Sequence, residues 1–357
     1  MSQGKYLIAG GGTGGHVFPG LAVGLELQRR GHSILFVGTS RGLEAELVPK
    51  AGFPLRLLRA GALKQVSWAR RLRTLVELPA GMLEAAGILE ETRPEAVLSL
   101  GGYASGPVTI MAVAKEIPIV VMEPNACPGF THRLIGPFVA RALLGFEQGG
   151  RFFPSGRWEV IGIPIRREFF EVAAKRHASP FTVLVTGGSQ GSHRLNTTVT
   201  EALPLWSRAG WLERLVFLHQ SGGKDYEEVR SRYRKFAARA EVSPFLDDMP
   251  AAFARADVVV CRSGASTIAE LCAAGKASIL VPFPFAADQH QLRNAEVVEA
   301  ADAARLVEDR NLTAHRLFEE LGAMLESPGR LEEMEAAARK MARPGAAARA
   351  AEVLESH

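Results

Sequence analysis

Short apolar, β-branched runs alternate along this chain with longer stretches in which apolar residues recur at helical spacing. That alternation is the pattern of βαβ units laid into parallel sheets. It predicts strands at 5–9, 33–37, 96–100, 118–122 and 142–144 in the first half, and at 181–186, 215–219, 257–261 and 278–282 in the second. Between the two series, residues 155–166 hold Gly156, Gly162 and Pro164 and read as a linker. The expected class is α/β, with two Rossmann-like, doubly wound domains at 1–162 and 163–340. The Ala-rich helix at 345–357 is too small to stand alone and is expected to pack back on the first domain.

Length and composition agree with that picture. A chain of 357 residues is long for one core and comfortable for two. With 47% hydrophobic and 22% charged residues it is globular rather than disordered in composition. No apolar run approaches the roughly 18–20 residues that span a bilayer, and Met1 leads almost directly into a strand without a signal-peptide layout. Cys127, Cys261 and Cys272 lack metal-ligand spacing and read as reduced thiols, so a cytoplasmic location is expected. The net charge of +4 is unevenly placed: residues 1–162 carry 17 Lys and Arg against 12 acids, the remainder 25 against 26. A surplus confined to the first half suits an anionic partner such as phosphate, nucleic acid or a lipid surface.

Four of the expected strands end in a glycine-rich turn that opens a helix: 10–16 (GGGTGGH), 101–106 (GGYASG), 187–192 (GGSQGS) and 263–267 (SGAST). Glycine permits positive φ and close approach of a ligand to the backbone. The N–H groups at a helix start, with the helix dipole, favour an anion. Four such turns divided between two domains point to phosphate-bearing ligands. Residues 10–15 satisfy the dinucleotide pattern G-x-G-x-x-G, but that site needs an acid at the end of the second strand for the ribose hydroxyls. Here the strand ends Val37-Gly38-Thr39, residues 1–162 contain no Asp, and Glu44 and Glu46 come too late. No Gly-Lys-Ser/Thr follows Thr13, so a P-loop is excluded as well.

Taken together, 10–20 (GGGTGGHVFPG), 101–107 (GGYASGP), 187–191 (GGSQG), 245–249 (FLDDM) and 262–270 (RSGASTIAE) closely resemble the MurG family of peptidoglycan N-acetylglucosaminyltransferases. The resemblance runs over nearly the whole chain and implies the GT-B fold, with a deep cleft between the domains. It implies inverting transfer of N-acetylglucosamine from UDP to a muramyl-pentapeptide pyrophosphoryl-undecaprenol acceptor, forming a β(1→4) bond. By the same resemblance the second domain holds the donor. Ser189 would meet the UDP phosphates, Leu246 the uracil with its backbone reading the base edge, and Ala265, Ser266 and Thr267 would form a second turn beside the phosphates. Along that helix, with Ile268 and Ala269, Glu270 would accept the ribose hydroxyls. Gln291, within 288–294, is the expected reader of the sugar hydroxyls, with His290 beside it. Arg166 matches a family arginine facing the donor, although Ile163 stands where the family pattern has Asn.

The same resemblance gives the first domain the acceptor, with its pyrophosphate on the Thr13-Gly14-Gly15 turn and Asn125 facing the cleft. An inverting transfer needs a base for the acceptor hydroxyl proton. His16 is the first choice, because an imidazole titrates near neutrality and it sits on that turn; Glu123 is the alternative. No Asp-x-Asp occurs, so no tightly bound metal, and no cofactor or nucleic-acid partner, is expected. A lipid-linked acceptor also requires contact with a membrane. Residues 68–86 place Trp68, Leu72, Leu75, Val76, Met82 and Leu83 on one helical face, with Arg70, Arg73, Glu77 and Glu84 opposite and Lys64, Arg71 and Pro79 nearby. Part of that segment is expected to dock on anionic lipid at the cytoplasmic face of the membrane. Two other readings compete: a UDP-N-acetylglucosamine 2-epimerase of the same architecture, and a non-catalytic sugar-nucleotide-binding subunit.

Overall fold

Thirteen parallel strands form two sheets in a computed structural model that describes residues 3–12, 14–40, 42–59, 68–102 and 104–357, with the side chains of 68–78 and 328 excepted. The first sheet is built from β1 (Lys5–Gly10), β2 (Ser33–Gly38), β3 (Leu55–Leu57), β4 (Ala96–Gly101), β5 (Ile119–Glu123), β6 (Arg141–Leu144) and β7 (Trp158–Val160), in the order β3-β2-β1-β4-β5-β6-β7. The second is built from β8 (Phe181–Thr186), β9 (Leu215–Gln220), β10 (Arg239–Ser243), β11 (Val258–Cys261), β12 (Ser278–Leu280) and β13 (Ala304–Leu306), in the order β10-β9-β8-β11-β12-β13. Alternate residues of the central strands serve opposite faces. Ile8, Leu98 and Val120 pack into one core and Leu7, Ala9, Val97 and Val121 into another, so helices cover both sides of the first sheet.

The chain divides into two compact units, Met1–Arg166 with Gly345–His357, and Arg167–Pro344. The division falls after Arg166 rather than after Gly162. Residues 155–166 are not simply a linker: β7 lies within them, paired with β6 from Ala142↔Trp158 to Leu144↔Val160, and Ile161 is buried in the first unit's core. The C-terminal helix Ala346–Glu355 lays Ala350, Ala351, Val353 and Leu354 into that same core beside Val17, Val23 and Leu27. Its end is tied down where Glu355 accepts from Arg30 Nη1 at 2.8 Å and pairs with His32 Nε2 at 2.8 Å. Among the described residues no helix is long and apolar enough to cross a membrane.

Candidate active site

In an open α/β sheet the ligand crevice opens at the carboxyl ends of the strands where the strand order reverses. In the first sheet that point lies between β1 and β4, and the two glycine turns of the first half follow those strands. The turns touch backbone to backbone: Gly102 has φ +79°, and a Cβ there would stand 2.6 Å from the Gly11 carbonyl oxygen. Gly101 has φ +85°. A Cβ on it would lie 3.2 Å from the His132 ring and 3.5 Å from His16 Nε2, so its missing side chain is what lets both rings approach. His16 and Gly15 sit in the first turn of helix Gly14–Arg29, at its positive end. Thr13 lies outside the described residues.

Glu123 ends β5 and is 2% exposed. Its Oε1 accepts from Asn125 N at 3.0 Å and Asn125 Nδ2 at 3.1 Å, and its Oε2 from Gly129 N at 3.1 Å and the His132 Nδ1 side at 2.7 Å. Burial alone would raise this carboxyl; the His132 ring and the N–H groups of Asn125 and Gly129 outweigh it and hold the pKa below the usual range. The far nitrogen of His132, Nε2, lies 3.2 Å from Ser99 Oγ on β4. A carboxylate with both oxygens engaged orders the 123–129 loop and fixes Asn125. His132 and Ser99 were not among the expected residues. Their role arises from contacts nine and 33 positions apart in the chain, which no local motif announces.

The second sheet reverses between β8 and β11, again where two glycine turns emerge. Helix His193–Arg208 is capped by Ser192, whose Oγ accepts from Leu195 N and also takes a hydrogen bond from Arg262 Nε at 3.2 Å. Ser189 stands ahead of that helix, exposed in a tight turn closed by Gly191 N donating to Gly188 O at 2.9 Å. The residue at the helix start is therefore Ser192, and Ser189 belongs to the turn. Helix Ala265–Ala274 begins without a side-chain cap. Its first regular bond runs from Ile268 N to Gly264 O, which leaves the N–H groups of Ala265, Ser266 and Thr267 to point out of the helix start. Ser266 Oγ is buried there with no hydrogen-bond partner. Ile268 is core, 2% exposed, while Ala269 and Glu270 are half-buried.

Gln291 and Leu246, both expected on the donor side, are tied to these two turns. Ser263 Oγ donates to Gln291 O at 2.8 Å, and Asn294 Nδ2 donates to Ser263 O at 3.4 Å, so the 288–294 segment is pinned to the entry of helix Ala265–Ala274. Gln291 Oε1 accepts from Phe283 N at 2.9 Å, which turns its amide nitrogen into the group it can offer. Leu246 is linked to the 187–191 turn by Gln220, a buried residue ending β9. Gln220 Nε2 donates to Gly188 O at 2.6 Å and its Oε1 accepts from Leu246 N at 3.0 Å. Asp248 caps helix Met249–Arg255 by accepting from Ala251 N at 2.9 Å. Arg166 is exposed at the end of the 1–166 segment of the first unit. Among the described residues no group of three or more His, Cys, Asp or Glu is placed to hold a metal ion.

Two doubly wound sheets, each with two glycine turns at its switch point, have the architecture of the GT-B sugar-nucleotide enzymes. Residues 6–144 match the glycosyltransferase family 28 N-terminal domain and residues 182–350 the family 28 C-terminal domain. The chain belongs to glycosyltransferase family 28. It is 49% identical over 98% of its length, and 95% of the relative's, to the UDP-N-acetylglucosamine--N-acetylmuramyl-(pentapeptide) pyrophosphoryl-undecaprenol N-acetylglucosamine transferase of Solibacter usitatus. It is 43% identical to the transferase of the same name from Geotalea uraniireducens, covering 96% of this chain and 95% of that one. The crystal structure of Acinetobacter baumannii MurG superposes with a TM-score of 0.82 at 27% identity, covering 99% of this chain and 100% of that chain.

Proposed function

We propose that this chain moves N-acetylglucosamine from UDP-N-acetylglucosamine to the muramyl-pentapeptide pyrophosphoryl-undecaprenol acceptor, with inversion and formation of a β(1→4) bond. The observation that carries the reading is the difference between the two switch points. One presents an uncapped helix start with a buried, unpartnered Ser266 hydroxyl, which suits a diphosphate leaving group. The other presents His16 on a helix start, which suits an anionic acceptor and its hydroxyl proton. In the reaction the acceptor hydroxyl oxygen bonds to the anomeric carbon while the bond from that carbon to the UDP oxygen breaks. The electron pair leaves with UDP beside Ala265–Thr267 and Ser189, and His16 takes the proton. Glu270 accepts the ribose hydroxyls, Gln291 donates to the sugar, Leu246 offers its carbonyl to the base edge, and Arg166 faces the donor. Glu123 acts through Asn125 and the loop it orders.

The enzyme works peripherally at the cytoplasmic face of the membrane in this reading. The side chains of Trp68, Leu72, Leu75 and Val76 lie outside the described residues; of the described ones Leu83 is 75% exposed, and Phe130, Leu134 and Phe138 recur at four-residue spacing with more than half of each in solvent, so the first unit carries apolar groups suited to a lipid surface. Incubation of the pure protein with UDP-N-acetylglucosamine, with and without a short-chain lipid-linked muramyl acceptor, tests the function. Acceptor-dependent UDP release is expected. Epimerised sugar without acceptor would establish the isomerase instead, and binding without turnover a non-catalytic subunit. His16→Ala should lower kcat on the order of 10²- to 10⁴-fold. Co-sedimentation with anionic vesicles that is unchanged by Phe130→Ser with Phe138→Ser would remove the lipid contact from that face.

A further inference from the structure

Glu44 comes too late in the sequence to hold a ribose, and the structure shows where it goes instead. It is 1% exposed, at the start of helix Glu44–Lys50, and it folds back under the first glycine turn. Its Oε2 accepts from Gly12 N at 2.7 Å, and its Oε1 accepts from Thr39 N and Thr39 Oγ1, both at 2.9 Å. Among the described residues, its partners are these N–H and O–H groups and no cation. A Cβ on Gly11, on Gly38 or on Gly42 would overlap its carboxylate or its Cγ. Glycines from the turn after β1 and from the end of β2 and its following loop therefore converge on one buried carboxylate, which ties the end of β2 to the turn after β1.

This contact changes what the turn can bind. The N–H of Gly12 is one of the groups that a phosphate would use in a dinucleotide-type turn, and here an internal anion holds it. An incoming diphosphate meets a turn whose first half is already occupied, and it must use the N–H groups further on, at the start of helix Gly14–Arg29, beside His16. We propose that Glu44 is a positioning and specificity-determining residue of the acceptor turn: it closes the 10–12 half to phosphate and so directs the acceptor diphosphate to the helix start that carries His16. The proposal rests on the reading that the first unit holds the acceptor.

The test compares Glu44→Gln, Glu44→Ala and Glu44→Asp with wild type, in turnover against the lipid-linked acceptor and in calorimetric binding of UDP-N-acetylglucosamine. Glutamine keeps the shape but turns a donor toward Gly12 N or Thr39. The KM for the acceptor should rise on the order of ten-fold or more in the Gln and Ala variants, the scale of a lost hydrogen bond to a charged group. The Kd for UDP-N-acetylglucosamine should stay at the wild-type value, and Asp should recover part of the loss. An acceptor KM unchanged in all three variants overturns the proposal. So does a parallel loss of donor binding, which would mark Glu44 as a general support of the fold. Wild-type turnover that does not depend on acceptor would refute the acceptor reading itself and is scored before any variant.

Discussion

Alanine at Gly191 puts a methyl group where two turns of the second unit meet. Gly191 has φ +74°, and its Cβ would overlap the Ser221 carbonyl oxygen, with the Ser221 carbonyl carbon 2.5 Å away and Gly222 N 2.8 Å away. All of these atoms are backbone, so no rotamer change relieves the contact. Carbon atoms pack at roughly 3.5–4.0 Å, so one turn must retreat by about 1 Å. The 221–222 side is anchored by Ser221 N donating to Ser243 O at 3.0 Å, Gly222 N to Pro244 O at 3.1 Å and Asn196 Nδ2 to Ser221 O at 2.8 Å. The 188–191 turn is exposed and yields instead. The left-handed backbone costs about 1–2 kcal/mol for a residue with a Cβ, and the forced displacement about 1–3 kcal/mol more. For a body of this size, each kcal/mol lowers Tm by about 2–4 °C. Gly188→Ala is the matched control: its φ is +88°, yet a Cβ there meets nothing within 4 Å, so it bears the backbone strain alone. Calorimetric titration with UDP and thermal melting of both variants make the comparison. Gly191→Ala should melt lower than Gly188→Ala and bind UDP more weakly, with the KM for the acceptor unchanged. Equal melting and equal UDP affinity in the two variants would refute the argument from close backbone approach.

Three further outcomes follow from the same geometry. Gln220→Leu leaves Gly188 O and Leu246 N without the side chain that joins them, and it should weaken UDP binding on the order of ten-fold, read by calorimetry. Gly102→Ala, with φ +79° and the Gly11 oxygen in its way, should push the two turns of the first unit apart; the expected result is a higher acceptor KM with donor affinity unchanged. His219 is fully buried, with Nε2 toward Asn196 Oδ1 and Nδ1 toward Tyr233 Oη, and burial lowers its pKa to about 3. The unfolded chain takes up this proton near pH 6.5 and the folded one does not. Stability is therefore complete above that pH and falls by about 1.4 kcal/mol per unit below it, down to the folded pKa. Urea midpoints between pH 7 and 5 should decline more steeply for wild type than for His219→Gln, and parallel slopes would count against the assignment.

The strands that the hydrophobic pattern left out share one physical property. β3, β7, β10 and β13 are the four outermost strands of the two sheets. Each has at most one fully buried residue, so none carries the apolar run that marks a strand buried on both faces. The misread linker is one of these edges. The glycine turns were legible because positive φ and close backbone contact are demands that one residue type meets, and the sequence shows glycine directly. The side chains that hold those turns were not. Glu44, Gln220 and His132 act on partners brought near by sheet order, and each looks ordinary among its sequence neighbours. Of the two serines in the 187–192 turn, Ser192 is the helix cap, its hydroxyl meeting Leu195 N, and Ser189 stands in the turn ahead of it.

The two units repeat one plan and differ in a single chemical choice beneath the turn after the first strand of each sheet. Under the first turn lies a carboxylate, which can only accept, and so it takes N–H groups: Gly12 N and Thr39 N. Beside the second lies the amide of Gln220, which both donates and accepts, and so it joins a carbonyl to an N–H, Gly188 O to Leu246 N, and adds no charge. The carboxylate takes N–H groups that an anion would otherwise use, whereas the amide takes only the Gly188 carbonyl from the 187–191 turn. In the proposed reaction the leaving diphosphate gains the most charge, which favours the neutral support and the uncapped helix start of Ala265–Ala274. An acceptor diphosphate only has to be held, and it can tolerate a turn half occupied by an internal anion. This contrast supports the proposed placement of the donor on the second unit and the acceptor on the first, independently of the glycine motifs that the two units share.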